Sequence, residues 1–143
     1  MFIGEYQHNL DDKNRLSIPA KFRATLASGC VVTRGLDHCL WVYPKQVWQE
    51  FAEKLSALPI TSKDARSFSR LMLAGASEVE LDKSGRVVIP KYLLTYASIK
   101  NRVSINGLYN RIEIWPDEAW NDFKKGMEDD SEAIAEQLNE LGL

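Results

Sequence analysis

Short stretches rich in apolar residues, several of them alternating with polar ones, recur along the chain and predict β-strands. The stretches are 6–10, 15–18, 30–33, 39–43, 79–81, 86–89, 102–105 and 111–115. A proline ends or follows four of them, at Pro19, Pro44, Pro90 and Pro116. Proline suits the first turn of a helix and does not suit the interior of a sheet. The pattern therefore predicts that a helix begins after each proline.

The sequence repeats itself with an offset of 71 residues. Residues 10–19 read LDDKNRLSIP, and residues 81–90 read LDKSGRVVIP. After a slip of one residue the correspondence continues, with Gly35 matching Gly107 and Tyr43-Pro44 matching Trp115-Pro116. Several matches in nearly one register, over about 45 residues per copy, indicate a tandem duplication.

Each copy predicts the element order ββαββα, and four short strands are too few to close a core alone. We therefore expect an α+β fold in which the two copies pack about a pseudo-two-fold axis as a small β-barrel with flanking helices. The predicted units are repeat 1 at residues 5–47, a helical linker at 48–75, repeat 2 at 76–119 and an acidic C-terminal helical segment at 120–143.

Apolar residues at helical spacing support the assignment of the linker and of the C-terminal segment as helices. In the linker region these residues are Val47, Trp48, Phe51, Leu55, Leu58, Phe68, Leu71 and Met72. The C-terminal helix opens at Ser131 and carries an apolar stripe of Ile134, Leu138 and Leu141. The tryptophans at 41, 48, 115 and 120, with Phe51 and Phe123, are expected to pack against the barrel or a neighbouring subunit.

The repeated decamer contains a tight turn whose residue types follow the needs of its backbone. Asp11 and Asp82 suit the start of a turn, because a carboxylate can accept backbone N–H groups a few residues later. Asn14 and Gly85 occupy one equivalent position, and these are the two residue types that best tolerate positive φ. We therefore predict a left-handed residue at this point of both turns.

An arginine follows the left-handed position in both copies, as Arg15 and Arg86. A fixed turn would hold each guanidinium at a repeatable place on the surface. Alternatively, Asp11–Arg15 and Asp82–Arg86 are only ion pairs within the turns, since exposed pairs of this kind are common and weak. Spacing alone favours neither interpretation.

Charge divides the chain, although its composition is ordinary for a globular protein, with 45% apolar and 27% charged residues. Residues 1–112 carry a formal charge of +6 and residues 113–143 carry −8, which together give the net charge of −2. A basic body with an acidic tail is typical of a polyanion-binding face, and it also fits a solvated surface with a charged terminal helix.

Two Asp-x-x-[Gly/Asn]-Arg turns, each running into an apolar strand and a proline, make the chain similar to the MraZ family. Phe2-Ile3-Gly4-Glu5 before the first motif, Gly75-Ala76-Ser77-Glu78 before the second, and the overall length strengthen the resemblance. It covers nearly the whole chain and is weakest in the linker and after about residue 125. The sequence departs from the family's glycine at Asn14.

The resemblance implies tandem AbrB-like swapped-hairpin domains in a DNA-binding transcriptional regulator. MraZ proteins act at the promoter of the division and cell-wall gene cluster that contains their own gene, recognise short direct repeats of double-stranded DNA, and assemble into ring-shaped homo-oligomers. It places Asp11 and Arg15, and Asp82 and Arg86, at the family's motif positions. It further implies a cytoplasmic, nucleoid-associated protein.

The residue types agree with DNA binding. An arginine fork can bind guanine O6/N7 or a phosphate bidentately, whereas lysine cannot. Other cations near the turns would supply phosphate contacts. In copy one these are Lys13, Lys21, Arg23 and Arg34, and in copy two they are Lys83, Lys91 and Lys100.

Little else in the sequence suggests chemistry. His8 and His38 lie in no metal-ligand pattern, and Cys30 and Cys39 are expected to be small core residues. No Gly-rich phosphate loop is present. Glu78, Glu80 and Asp82 alternate on one strand, which predicts a solvated edge more readily than an acid/base pair. We expect no enzyme, no metal or other cofactor, no small-molecule substrate, no signal peptide and no membrane segment.

A different class of function stays open. The acidic tail and the apolar stripe of the terminal helix would also suit an antitoxin-like or scaffold module that mainly binds protein.

Overall fold

The computed structural model describes all 143 residues, and each half of the chain builds the same succession of elements. The first half contains β1 (Phe2–Asn9), β2 (Arg15–Ser17), α1 (Ala20–Leu26), β3 (Cys30–Arg34), β4 (Leu40–Pro44) and α2 (Lys45–Ser56). The second half contains β5 (Ser77–Val79), β6 (Arg86–Val88), α4 (Lys91–Tyr96), β7 (Arg102–Tyr109), β8 (Ile112–Pro116) and α5 (Asp117–Asp129). The ββαββα order is therefore confirmed in both copies.

The linker and the C-terminus are helical, as their periodicity predicts. Helix α3 (Lys63–Ser69) continues into a π-helical turn, Arg70–Ala74, and α6 (Ser131–Gln137) follows α5. Leu58, however, lies beyond the end of α2, because that helix stops at Ser56. None of the helices combines the length and the apolar composition that crossing a membrane requires.

The two copies exchange their first strands. Strand β1 of the first copy pairs antiparallel with β7 of the second, and β5 of the second copy pairs antiparallel with β3 of the first. The result is one six-stranded sheet in the order β1-β7-β8-β4-β3-β5, with an exchanged strand at each edge. Neither half can therefore complete its sheet without the other.

The α+β fold of two pseudo-symmetric copies is confirmed, but the small barrel is not closed. Strands β1 and β5 end the large sheet as free edges, and β2 and β6 form a separate two-stranded antiparallel ribbon. The reason is strand length. Strands β2, β5 and β6 have only three residues each, too few to bridge from one edge of the twisted sheet to the other.

Residues of both copies meet in one hydrophobic core. Alternate positions on the ribbon strands, Leu16 and Val87, are almost completely buried, as are Ile18 and Ile89 just beyond the strand ends. These side chains join Phe22, the strands of the large sheet and α4 in a single cluster. Burial of this apolar surface from both halves drives the copies together.

The aromatic residues that follow Pro44 and Pro116 pack against the sheet of the same chain. Trp48 and Phe51 of α2 contact Tyr43 of β4, with ring centroids 5.8 and 5.6 Å from the tyrosine ring. In the second copy, the rings of Trp120 and Phe123 lie 5.3 and 5.1 Å from that of Trp115. Of the two environments expected from the sequence, these contacts confirm packing against the sheet, and they hold α2 and α5 to it.

Gly107 differs from its repeat partner Gly35. Gly35 lies between β3 and a 3-10 turn, whereas Gly107 lies inside β7, opposite Gly4 of β1. A Cβ atom on Gly107 would come within 2.5 Å of Ile3 N and 2.6 Å of Phe2 C. Only glycine lets the backbones of β1 and β7 approach so closely at this point, and it thereby permits unbroken pairing over the eight residues of β1.

We predict that Gly107→Ala lowers the free energy of unfolding by about 2 kcal/mol, because the new methyl group must push β1 away from β7. The matched control is Gly126→Ala on the exposed side of α5, where a Cβ meets nothing within 4 Å. It should raise stability by about 0.5–1 kcal/mol. Urea unfolding of both variants checks the prediction, and equal stability of the two would contradict it.

Candidate nucleic-acid interface

The turn between β1 and β2 is closed by two backbone hydrogen bonds. Asp11 N donates to Arg15 O at 3.0 Å, and Asn14 N donates to Asp11 O at 3.1 Å. Asn14 then adopts a left-handed conformation with φ of 60°. This is the geometry of a three-residue hairpin loop, a turn followed by a left-handed residue.

The second turn repeats this network atom for atom. Asp82 N donates to Arg86 O at 2.8 Å, and Gly85 N donates to Asp82 O at 3.0 Å. Gly85 has φ of 77°. The left-handed residue predicted at position 14 and at position 85 is therefore confirmed in both copies.

The aspartate carboxylate holds each turn together. Asp11 Oδ1 accepts the N–H groups of Lys13 and Arg15 at 2.9 and 2.8 Å, while Oδ2 accepts Arg15 Nε at 2.6 Å. In copy two, Asp82 Oδ1 accepts from Ser84 and Arg86 at 2.9 Å, and Oδ2 accepts Arg86 Nε at 2.9 Å. One side chain therefore fixes both the backbone and the arginine.

These hydrogen bonds keep the turn carboxylates ionised. Partial loss of solvent raises the pKa of Asp11, but the bonds from Arg15 and Lys13 outweigh this effect and leave the pKa below its ordinary value. For Asp82 the hydrogen bond from the Arg86 backbone is the largest influence, and the pKa is again lowered. Both carboxylates carry their negative charge at neutral pH.

The ion pairs expected within the turns are present, and they leave the arginines available. The side chains of Arg15 and Arg86 are 29% and 32% exposed. In each arginine, Nε donates a hydrogen bond to the aspartate of the same turn. The two Nη groups of each arginine have no hydrogen-bond partner in the chain. A structural role and a binding role are therefore compatible, because the pair orients the guanidinium without occupying its outer edge.

The two turns are joined through the ribbon. Beyond the paired strands, Ile18 N donates to Gly85 O and Ile89 N donates to Asn14 O, both at 2.9 Å. Each left-handed residue therefore binds the strand of the other copy. The spacing between the turns is consequently set by backbone hydrogen bonds.

This register places both arginines on the outer face of the ribbon. Arg15 lies opposite Val88, and Arg86 lies opposite Ser17. Arg15 and Arg86 are thus diagonal neighbours, with Cα atoms about 7–8 Å apart. Leu16 and Val87 point into the core, so the outer face consists of Arg15, Ser17, Arg86 and Val88. We call these four residues the ribbon face.

Sequence reasoning missed Ser17 and Val88 as members of this face. The alternation of the two strands carried the necessary signal, because Leu16 and Val87 are the obvious core positions and their neighbours must point outward. The pairing of β2 with β6, however, joins segments 71 residues apart and is not visible in either segment alone.

A helix of the other copy lies beside each turn and explains the difference between Asn14 and Gly85. Arg23 of α1 donates Nε to Ile18 O at 2.8 Å and covers Gly85, where a Cβ would clash with the Arg23 side chain. In the pseudo-symmetric position, Leu94 of α4 lines the cleft beside Asn14. The smaller leucine leaves room for a side chain at position 14, so the departure from glycine is accommodated by the opposing helix.

The remaining predicted cations differ in their distance from the ribbon face. Lys13 and Lys83 are exposed within the two turns, and Lys91 is exposed at the start of α4, beside Asn14. Lys21 is exposed on α1 and makes no hydrogen bond to either turn. Arg23 is half-buried, as described above.

Arg34 is not a surface cation near a turn, contrary to expectation. Its guanidinium lies over the rings of Tyr92 and Tyr96, 5.8 and 5.7 Å from their centroids, and donates to Leu71 O at 3.3 Å. Arg34 therefore joins β3, α4 and the π-helical turn. Lys100 lies with Lys91 at the cleft beside Asn14.

The cysteines are buried and free. Burial raises the pKa of Cys30 to about 11, and burial together with the nearby Glu113 raises that of Cys39 further. His38 packs against Tyr96, and the chain contains no cluster of His, Cys, Asp and Glu able to hold a metal ion. The cysteines behave as core residues.

The chain matches one protein family twice. The family is described as "MraZ protein, putative antitoxin-like", and the matches cover residues 1–71 and 72–141. Each match contains one of the two turns, so the comparison supports the internal duplication independently.

Curated relatives match over the full length. The chain is 50% identical over 143 residues to a protein of Halothermothrix orenii, with 100% of both chains covered. It is 49% identical to one of Herpetosiphon aurantiacus and 47% identical to one of Clostridium tetani, again over 100% of both chains. All three relatives are named Transcriptional regulator MraZ.

The contact between Arg23 and Gly85 predicts coupling between helix and turn. Gly85→Asn should lower the free energy of unfolding by about 1 kcal/mol, because Arg23 must move and lose its bond to Ile18 O. In an Arg23→Leu background, which reproduces the Leu94–Asn14 arrangement, the same substitution should cost distinctly less. A double-mutant cycle by urea unfolding measures the coupling, and additive effects would show that Arg23 does not constrain position 85.

Proposed function

The chain belongs to the MraZ family, and on that premise we propose that it regulates transcription by binding double-stranded DNA in a sequence-specific manner. The names of its curated relatives support the regulatory role. The binding surface in this proposal is the ribbon face. Arg15 and Arg86 are the base-reading residues, and the neighbouring cations contact phosphates.

The observation that carries the proposal is the pair of oriented, partly free guanidiniums on one two-stranded ribbon. The major groove of B-DNA admits a two-stranded ribbon, and several DNA-binding proteins insert one there. An arginine with both Nη groups free can donate two parallel hydrogen bonds to guanine O6 and N7. Because the turn aspartate already holds Nε, little side-chain entropy remains to be lost on binding.

Positive charge around the ribbon face supports contact with the phosphates. Lys13 and Lys83 flank the two arginines, and Lys91 lies beside the first turn. Arg23 contributes mainly by holding the second turn in place. We assign Lys21 a more distant phosphate contact, since it lies on α1 outside the ribbon.

The family resemblance extends the proposal to the target and the assembly. We propose that the protein forms a ring of identical subunits and binds short direct repeats upstream of the division and cell-wall gene cluster, including its own promoter. A single ribbon offers few cations, so repeated faces would gain affinity through multivalency. Exposed apolar side chains such as Ile3, Ile60 and Tyr109 offer surface for subunit contacts. Sites in phase along one DNA face should recur about every 10–10.5 bp.

A second candidate function is binding of a protein partner. The antitoxin-like description of the family favours it. So do two exposed apolar side chains near several carboxylates in the sequence, Ile134 of α6 and Leu141 of the short 3-10 turn that follows it. Co-purification of a small basic protein with the intact chain, lost on removal of residues 131–143, would support this role. Footprinting on the gene's own upstream region, with a mass measurement in solution, tests the DNA-binding role.

We predict that Arg15→Ala and Arg86→Ala each weaken binding to the footprinted duplex by about tenfold or more, because each removes a bidentate base contact. Stability should change by less than about 1 kcal/mol, since the exposed ion pairs are weak. Titration by fluorescence anisotropy, with thermal unfolding of the same samples, measures both quantities.

Two controls sharpen this experiment. Arg70→Ala removes an exposed arginine from the linker and should leave affinity unchanged. Arg15→Lys keeps the charge but loses the planar fork, so it should also reduce specific affinity. Full specific affinity in a folded Arg15→Ala protein would refute the assignment.

Phosphate contacts predict a steep dependence on salt. A complex with about four such contacts should lose about a hundredfold in affinity between about 50 and 200 mM salt. Combining Lys13→Ala with Lys83→Ala should make the plot of log affinity against log salt less steep, because two contacts are removed. A flat salt dependence of the unaltered protein would count against the ribbon face as a DNA-binding surface.

A further inference from the structure

Val88 is an apolar side chain in the middle of a polar surface. It is 55% exposed and is the only apolar member of the ribbon face. Its neighbours Val87 and Ile89 are almost completely buried, so the alternation of β6 points Val88 outward. Strand geometry thus determines its direction, but does not require an apolar residue there.

The first copy supplies an internal comparison. Ser17 occupies the position on β2 that corresponds to Val88 on β6, and it pairs with Arg86 as Val88 pairs with Arg15. The ribbon therefore forms with a hydroxyl-bearing residue at this site. Consequently the valine is dispensable for pairing, and the two ends of the ribbon face differ chemically.

The register brings Val88 close to Arg15. Hydrogen bonds join residues 14 and 89, and residues 18 and 85. Pairs alternate along an antiparallel ladder, so 15–88 and 17–86 are non-hydrogen-bonded pairs, with Cα atoms about 4.5 Å apart. Val88 therefore lies directly beside Arg15, whose guanidinium Asp11 holds in place.

Resting on the proposed function, we propose that Val88 is a specificity-determining residue that contacts the 5-methyl group of a thymine adjacent to the base read by Arg15. The thymine methyl is the apolar feature of the major-groove edge, and apolar side chains recognise it. Ser17, beside Arg86, offers a hydroxyl instead. The two ends of the ribbon face therefore read different bases, and the site bound by one subunit is asymmetric.

The test removes the methyl group from the DNA. The probe is the duplex protected by the protein in its own upstream region, with each thymine replaced in turn by deoxyuridine. This replacement keeps all hydrogen bonds and deletes one methyl group. At the contacted thymine the unaltered protein should lose about fourfold in affinity, the amount expected for one buried methyl.

Three variants identify the protein side of the contact. Val88→Ser copies the residue found at position 17 and should bind thymine and deoxyuridine duplexes equally at that position. Val88→Thr retains one methyl and should keep part of the discrimination. Ser17→Val should add a second position, near the base read by Arg86, where deoxyuridine weakens binding. Since positions 17 and 88 face solvent, the variants should unfold at nearly the same temperature as the unaltered protein.

The outcomes separate this inference from the function on which it rests. Loss of affinity on thymine replacement, abolished by Val88→Ser, supports the contact. Arg15-dependent binding with no sensitivity to any thymine methyl, or with sensitivity that persists in Val88→Ser, overturns the contact and leaves the DNA-binding role intact. Absence of specific binding by the unaltered protein overturns both.

Discussion

The antiparallel pairing of β2 with β6 is the constraint on which the rest of the molecule depends. Three residues from each copy form the ribbon, and one further hydrogen bond ties each turn to the opposite strand. The inner face of the ribbon supplies Leu16 and Val87 to the common core, while the outer face carries both arginines. Neither copy can form the ribbon without the other. The two guanidiniums therefore reach their positions only when both copies have folded together.

In each of the two turns, one carboxylate determines the position of the arginine. Asp11 and Asp82 each accept two backbone N–H groups and one guanidinium Nε. The aspartate and the arginine of each turn form an ion pair, and the same arrangement also suits a binding motif. The ion pair adds little stability at the surface, but it holds Nε of the arginine and leaves the Nη groups without a partner in the chain.

The two turns and the ribbon are symmetric in backbone, but their side chains differ, and so do the lengths of the exchanged strands. Arg23 covers Gly85, whereas Leu94 leaves space for Asn14, and Ser17 stands where the second copy has Val88. Strand β1 spans eight residues but β5 only three, because the residues before β5 belong to the π-helical turn Arg70–Ala74 and its cap Gly75. A ligand that meets both halves therefore encounters two related but unequal surfaces.

The sequence by itself determined the elements and the turns. The helix starts after the four prolines, the left-handed Asn14 and Gly85, and the local Asp–Arg network depend on residues within a few positions of one another, so local chemistry is sufficient to predict them. The repeat is visible in the sequence because the two copies still match at a fixed offset. Only the tertiary structure decided which strands the copies exchange and that the sheet stays open at β1 and β5. It also decided that Arg34 lies over two tyrosine rings and that Ser17 and Val88 belong to the ribbon face. These features arise from contacts between segments far apart in the chain, and their geometry depends on strand lengths and close backbone approaches that no local pattern contains.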